Sequence, residues 1–228
     1  MTRLTLATTG LAFIAGYVDT VCFVALFGLF TAHVTGNFVL IGAELANPGH
    51  GVLLKFLAFP AFIAGIASAR MLVLFAKARG YRSSTPLLVL QALLLLASGA
   101  SGWHAAPFTS TETSAAIATG LFAAAAMGVQ NAAGRLAWHT LSPTTVMTGN
   151  VTQIVLDVVD LLRGAADDAL RQRIGKFFWP IVGFGLGAIA GGLAVLRVSM
   201  LALLLPLAIL SALAASGALE VEDAKAVK

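Results

Sequence analysis

Long apolar runs separated by short polar clusters dominate the chain. Eight apolar stretches can be marked, at residues 7–30, 34–46, 53–76, 87–103, 115–138, 146–162, 177–196 and 200–215. Most of them approach the length of about 20 apolar residues that a helix needs to cross a bilayer, whereas 34–46 is too short. The pattern predicts an all-α polytopic membrane protein that forms a single integral membrane domain over residues 1–228.

Polar clusters mark the breaks between the stretches. They are the turn at 47–51, the basic loop at 77–84, the charged segment at 164–176 and the charged tail at 218–228. The first apolar run has no small-x-small cleavage site, so we interpret it as a retained first helix and not as a signal peptide.

A repeat divides the chain into two homologous halves. Thr-Gly-Asn occurs at 35–37 and again at 148–150, and Gly-Tyr-Val-Asp at 16–19 is echoed by Gly-Val-Gln-Asn at 128–131. Pro60 and Pro180 follow an aromatic residue in the same order. Because the spacing is close to half the chain length, we predict a whole-chain duplication with halves at about 7–103 and 115–217.

The distribution of basic residues favours inverted repeats of three spans each. In that arrangement each Thr-Gly-Asn segment is a short broken or re-entrant helix, and both termini are cytoplasmic. Nearly all Lys and Arg residues then fall on the cytoplasmic side, as the positive-inside rule requires. The alternative, eight spans with parallel repeats, divides the basic residues less well between the two sides.

Composition supports the membrane class and limits the chemistry. The chain is 59% hydrophobic and 11% charged, with a mean hydropathy of +0.93, which is unlike a soluble domain. Its net charge of +4 is explained by basic residues at helix ends, so we expect no nucleic-acid partner. Cys22 is the single cysteine, which excludes an internal disulfide. The sequence contains no nucleophile–His–acid set, phosphate loop or metal-ligand spacing, and we expect neither an enzyme nor a cofactor.

The Thr-Gly-Asn segments are the first candidates for a binding site. Gly and Asn are poor helix formers, and a broken helix at membrane depth is tolerated where it is buried in protein or lines a wet cavity. Inverted repeats would bring the two helix N-termini together near the midplane, where they face one site for an ion or solute. The candidates are Thr35, Gly36, Asn37, Thr148, Gly149 and Asn150. Packing and capping are the alternative role.

Asp19 is the strongest single candidate. It lies near the centre of the first apolar stretch, where a charge is costly, and its repeat mate Asn131 is polar and follows Gln130. A midplane carboxyl group indicates proton or cation coupling, or the counter-ion of a buried base. Arg70 is the predicted partner, unless it extends to the interface instead.

Secondary candidates follow each triplet. Glu44 and Asp157 take the same place in the two halves, and Gln153 lies on the same helix face as Asp157. These side chains line a vestibule, or they mark the point at which each segment leaves the bilayer.

The motifs resemble those of the YoaK-like family of bacterial inner-membrane proteins of unknown function. The resemblance rests on G-Y-V-D-T at 16–20, H-V-T-G-N at 33–37, A-M-G-V-Q-N-A at 126–132 and V-M-T-G-N at 146–150. It implies a multi-pass protein of the bacterial inner membrane and provides no catalytic residue.

Two functions fit these patterns. The first is a small-solute transporter or channel with a midplane polar site between the two repeats, coupled to a proton or cation. The second is a membrane scaffold or assembly subunit. Converging helix N-termini favour an anionic solute and Asp19 favours a cation, so the solute is unknown. The glycine-rich seventh stretch packs within the chain or between chains, which leaves a homo-oligomer open.

Overall fold

A computed structural model of the protein describes residues 2–47, 51–164 and 168–220, and those residues form helices and no strands. There are eight α-helices and one 3₁₀-helix in the described part. They are α1 (Arg3–Ala25), α2 (Gly36–Ala46), α3 (Val52–Ala78), α4 (Ser84–Trp103), α5 (Ser114–Leu136), α6 (Met147–Leu162), α7 (Asp168–Val198), the 3₁₀-helix Ser199–Leu203 and α8 (Leu204–Ser216).

The helices confirm the class predicted from the apolar stretches. One helix lies in each predicted stretch, and the largest difference is α7, which begins at Asp168 and not at residue 177. Its extra turns carry Arg171, Arg173 and Lys176, which are good helix formers and remain exposed. The hydropathy pattern detected only the apolar part of this helix.

Within the described ranges, five helical segments are long and apolar enough to cross a membrane. The last of them combines α7, the 3₁₀-helix and α8 into one run of 49 residues, Asp168–Ser216. Many large apolar side chains on these helices face outward, among them Leu196, which is 73% exposed. An apolar outer surface of this kind belongs in lipid, so the protein is membrane-embedded.

Contacts between helix ends show the course of the chain. The end of the bundle at which α1 begins, here called the first end, also holds the end of α5, because Thr5 and Ser142 line one cavity there. Trp138 Nε1 donates to Ser84 Oγ at 2.9 Å, which places the start of α4 at the same end. Ser84 Oγ in turn donates to the carbonyl of Leu219 after α8. The opposite end is called the second end below.

The short helices α2 and α6 each begin and end at one end of the bundle. At the second end, Lys55 near the start of α3 donates from Nζ to the carbonyl of Phe27, just after α1, at 2.8 Å. At the first end, Ser142 before α6 donates from Oγ to the carbonyl of Lys176 in α7 at 3.1 Å. Neither short helix therefore carries the chain across the bundle.

Long helices of one half pack against long helices of the other half. Helix α1 packs on α7, and α5 packs on α3 and α4. Gly16 lies directly against the carbonyl of Phe184, and Gly187 against the carbonyl of Phe13. On the other pair of helices, Gly128 and Gly65 lie against the carbonyls of Phe62 and Ala125. A side chain at any of these four glycines would overlap the neighbouring backbone.

Prolines interrupt the hydrogen bonding of α3 and α7. Pro60 lies inside α3 and Pro180 inside α7. Because proline lacks an N–H group, Pro180 cannot donate to the carbonyl of Lys176 one turn earlier. That carbonyl receives the Ser142 hydroxyl described above. A side chain from the segment before α6 thus replaces the helical donor that Pro180 removes.

Candidate functional site

The Asp19 side chain holds the segment that connects α1 to α2. Its Oδ1 accepts hydrogen bonds from the backbone N–H groups of Thr31 and Ala32, at 2.6 and 2.8 Å, and from the Thr31 hydroxyl. Its Oδ2 lies 2.8 Å from Nδ1 of His33. Asp19 is 5% exposed. We call Asp19, Thr31 and His33 the first cluster.

His33 is the accessible member of the first cluster. About a third of its side chain is exposed, and its ring packs edge-on against Phe184 of α7, with ring centroids 5.5 Å apart. The hydrogen bond to Asp19 raises the pKa of His33 above its ordinary value of 6.5, and burial opposes that effect only in part. The His33 imidazole is thus a proton acceptor that lies between solvent and the buried carboxyl group of Asp19.

The structure corrects two expectations about Asp19. Arg70 is not its partner, because Arg70 is exposed on α3 while the hydrogen bonds of Asp19 go to residues 31–33. Asp19 also lies in the last two turns of α1, which ends at Ala25, and not at the centre of the span. The boundaries of the apolar run included residues 26–30, which belong to the following connection.

Asn37, the last residue of the first triplet, fixes the same connection from the other side. Its Nδ2 donates to the carbonyl of Phe30 at 2.8 Å, and its Oδ1 accepts from the N–H of Phe30 at 2.9 Å. Thr35 precedes α2 but makes no side-chain capping bond, and Gly36 packs against the Phe30 ring. The triplet therefore stabilises a fold-back of the chain through Asn37, and Thr35 remains exposed.

A second cluster surrounds Gln130 and Asn131 on α5. Gln130 is fully buried and donates from Nε2 to the carbonyl of Leu11 and to Thr144 Oγ1, at 2.8 and 3.1 Å. Its Oε1 accepts from Nε2 of Gln91 at 2.7 Å. Asn131 donates from Nδ2 to Thr145 Oγ1 at 2.8 Å. We call Gln130, Asn131, Thr144 and Thr145 the second cluster.

Asn150 resembles Asn37 in position, but its side-chain oxygen has no hydrogen-bond partner. Its Nδ2 donates to the carbonyl of Pro143 at 2.9 Å and contacts Met147 Sδ. Proline has no N–H group to offer, so the buried Oδ1 of Asn150 has no hydrogen-bond partner. Thr148 and Gly149 are exposed in the first turn of α6, and Gly149 lines a cavity beside the second cluster.

The two triplets do not share one centre, which corrects the predicted single site at the midplane. Gln130 contacts the carbonyl of Leu11, and Leu11 lies about 12 Å before Asp19 along α1 at 1.5 Å per residue. Among the described residues, no hydrogen bond joins the first cluster to the second. Each triplet instead stabilises a fold-back in its own half of the protein.

The secondary candidates form ion pairs. Glu44 Oε1 accepts from Lys55 Nζ at 2.7 Å, and the Lys55 side chain is 1% exposed. Asp157 accepts from Arg173 through both carboxyl oxygens, and also from Nε2 of Gln153 at 2.7 Å. The Arg173 hydrogen bonds lower the pKa of Asp157. Each pair joins the end of a short helix to the start of the following long helix.

Sequence reasoning missed several members of the two clusters. His33 was the easiest to find, since it lies two residues before the first triplet, and Thr145 lies three residues before the second triplet. Polar residues shortly before each triplet were therefore the sequence feature that could have identified these cluster members. In the described part of the chain, no group of three or more His, Cys, Asp or Glu side chains is placed to hold a metal ion.

Comparison with known proteins gives one match. A family model described as "Protein of unknown function (DUF1275)" matches residues 7–216. The chain belongs to this family. The match extends from the second turn of α1 to the end of α8 and includes both clusters. It supports the resemblance to an uncharacterised family, without testing the YoaK-like name or a bacterial origin. No curated protein and no solved structure matches the chain.

Proposed function

We propose that this DUF1275 member is a small-solute transporter or channel of the bacterial inner membrane, built from two inverted three-span repeats, and not an enzyme. The observation that carries the proposal is the contact at 2.8 Å between the buried Asp19 and the partly exposed His33, which lies in a segment that interrupts the helical structure. Acidic and imidazole side chains inside a membrane protein are costly, and they commonly mark ion or proton pathways.

The helix contacts support an inverted duplication. Gly16 lies against Phe184, and the corresponding pair in the other half is Gly128 against Phe62. Helices α2 and α6 stand at opposite ends of the bundle and return the chain to the end from which they start. These features agree with six spans and two re-entrant segments, the arrangement of many transporters with broken helices.

The positions of basic residues support a cytoplasmic first end. Lys77, Arg79, Arg82 and Arg135 lie in or beside connections at that end, whereas the second end has Lys55 and Arg197. Following the positive-inside rule, we place both termini in the cytoplasm. In this orientation the first cluster is nearer the outer face and the second cluster is nearer the cytoplasm.

The proposed mechanism begins at the first cluster. A proton from the outer side reaches His33, which is partly exposed and whose Nδ1 lies 2.8 Å from Asp19 Oδ2. When His33 loses that proton, its hydrogen bond to Asp19 weakens, because a neutral imidazole is a poorer partner for a carboxyl group than a charged one. The segment before α2 is then freer to move, and the contact of His33 with Phe184 carries that movement to α7.

Proteoliposomes test the function directly. The purified protein is reconstituted with the pH dye pyranine inside, and a panel of small neutral, anionic and cationic solutes is added under an imposed proton gradient. We expect at least one solute to enter, measured by stopped-flow light scattering, and its entry to change the internal pH. Asp19→Asn should abolish the pH change, while the control Asp160→Asn, an exposed acid on α6, should behave like wild type.

A scaffold is the competing function, and the same experiment separates the two. If no solute of the panel enters faster than in empty liposomes, and Asp19→Asn lowers only the melting temperature in detergent, the transporter proposal fails. If a solute enters equally fast with wild type and with Asp19→Asn, and the internal pH does not change, the protein is a channel. Asp19 then has no role in proton coupling.

A further inference from the structure

A polar cavity opens beside the second cluster at the first end of the bundle. Its volume is about 550 Å³, within the usual range for small-molecule sites. Its lining residues are mainly polar and come from the end of α5, the following connection and the start of α6. They include Gln130, Asn131, Arg135, His139, Thr144 and Thr145.

Two buried hydroxyl groups in this cavity have hydrogen atoms to donate. Thr144 and Thr145 are 7% and 3% exposed, and each accepts a hydrogen bond from an amide, Gln130 or Asn131. Among the described residues, neither hydroxyl donates a hydrogen bond. Since a hydroxyl both donates and accepts, each has one donor left for a ligand. A buried donor without an acceptor is costly, and a bound anion would satisfy both.

The start of α6 adds donors of the same kind. Val146 and Gly149 line the cavity, and α6 has no side-chain capping bond. The N–H groups of residues 147–149 donate no hydrogen bond within the described part of the chain. In the first half, by contrast, the N–H groups of Gly36 and Asn37 bond to the carbonyls of His33 and Val34. The free N–H groups of a helix start attract negative charge.

The charged lining of the cavity is basic. Arg135 lies at its exposed rim, and none of the lining residues is Asp or Glu. A guanidinium group binds planar or tetrahedral oxyanions through paired hydrogen bonds. The cavity therefore combines a cation, two hydroxyl donors and backbone N–H donors, without a carboxyl group to repel an anion.

The corresponding place in the first half is closed by aromatic rings. When the halves are aligned on Asp19 with Asn131, Arg135 corresponds to Phe23, and alignment on the triplets pairs Pro143 with Phe30. The rings of Phe23 and Phe30 pack against each other in a tilted arrangement, with centroids 4.8 Å apart. Duplication alone thus does not explain the polar cavity, because the first half fills the equivalent space with apolar side chains.

We propose that this cavity binds a small oxyanion, which is the solute of the transporter proposed above. The ligand class is a short-chain carboxylate, sulfate or phosphate, whose oxygens accept from Arg135, Thr144, Thr145 and the first N–H groups of α6. The assignment of this anion as the transported solute rests on the proposed function. The prediction that the cavity binds an oxyanion does not depend on that function. The phosphate of an anionic lipid offers the same chemistry from a different source.

Binding in detergent tests the site independently of transport. Isothermal titration calorimetry is run on the purified full chain with sodium acetate, succinate, sulfate, phosphate and a short-chain phosphatidylglycerol, and with sodium chloride as reference. We expect at least one free oxyanion to bind. Arg135→Gln should weaken that binding by about tenfold or more, because it removes a charge-assisted hydrogen bond. Thr145→Val should also weaken it, and the control Arg163→Gln, an exposed residue after α6, should not.

The outcomes separate the site from the transport function. The inference is overturned if no free oxyanion binds, if only the lipid binds, or if Arg135→Gln and Arg163→Gln bind equally well. If the oxyanion binds but does not enter proteoliposomes, the binding site stands and the transport function falls. If another solute enters and Arg135→Gln has no effect on its entry, the function stands and this solute assignment falls.

Discussion

Asn37 bonds both polar groups of the Phe30 backbone, at 2.8 and 2.9 Å, and so ties the start of α2 to the segment that precedes it. Asn150 occupies the corresponding position and donates to the carbonyl of Pro143 and to Met147 Sδ, but its buried Oδ1 remains without a partner. The two asparagines thus occupy matching positions beside their short helices, but only the side-chain oxygen of Asn37 has a hydrogen-bond partner.

The two asparagines should differ in their effect on stability. Asn37→Ala leaves a part-buried N–H and a carbonyl of Phe30 unsatisfied, and we expect a loss of about 2–3 kcal/mol. Asn150→Ala leaves one carbonyl unsatisfied and removes an unpaired oxygen, so the expected loss is about 1 kcal/mol or less. Thermal unfolding in detergent measures both. Equal losses would contradict the role of Pro143 in this difference.

The two ion pairs should respond differently to loss of their acidic partner. Glu44→Gln leaves Lys55 charged with a side chain that is 1% exposed, and we expect a loss of about 3–5 kcal/mol. Asp157→Asn leaves Arg173, whose side chain is 50% exposed and can be hydrated, at a cost of about 1 kcal/mol. The double variant Glu44→Gln/Lys55→Met should recover much of the loss, measured by chemical unfolding in micelles.

The Asp19–His33 pair predicts a pH dependence of stability. The pKa of His33 is raised in the folded protein, so the contribution of the pair is fully present below the ordinary pKa of about 6.5. It is lost as the pH rises through the higher folded pKa. The difference in melting temperature between wild type and His33→Gln should therefore be larger at about pH 5.5 than at about pH 9. A difference that is constant across this range would exclude the charged pair.

The glycine contacts predict matched effects in the two halves. A Cβ at Gly16 or Gly128 meets the backbone of the neighbouring helix, which cannot move without separating the pair. We expect Gly16→Ala and Gly128→Ala each to lower stability by about 1–3 kcal/mol or to prevent folding. Gly42→Ala on α2 is the control, because nothing lies within 4 Å of its Cβ position. A control variant as unstable as the other two would refute the packing argument.

Cysteine labelling tests the topology. In a Cys22→Ala background, Tyr81→Cys at the first end and Glu112→Cys at the second end are both exposed. The proposed topology predicts that a membrane-impermeant thiol reagent labels position 112 in intact cells and position 81 only after permeabilisation. Eight spans with the N-terminus inside predict the reverse. Labelling at both positions in intact cells would contradict both topologies.

Much of the fold was predictable because lipid and helix length constrain the sequence strongly. Apolar stretches located each helix, and the repeated triplets marked the short helices α2 and α6. The start of α7 was predicted too late, since its first turns are polar and exposed and carry no hydropathy signal. Capping was the alternative role given to the triplets, and Thr35 makes no side-chain capping bond.

The candidate residues of the site could be named from the sequence, but the contacts between them could not. Asp19, Asn37 and Gln130 were predicted as binding-site candidates because polar residues are conspicuous in apolar runs, and the structure buries all three. The partner of Asp19 was wrong, since the chain folds back after α1 and brings His33 to it. A single sequence does not show which residues of different helices lie at the same depth in the bundle. The separation of the two clusters therefore could not be predicted from it.

Pro180 has a consequence for how this protein can change in evolution. By removing the N–H that would bond to the carbonyl of Lys176, it leaves that carbonyl to the Ser142 hydroxyl. A relative with another residue at position 180 regains the helical donor and no longer needs a hydroxyl at position 142. The two positions, far apart in the chain, are therefore expected to vary together, and Ser142 also lines the polar cavity. Selection on the straightness of one helix is in this way linked to selection on the shape of the cavity.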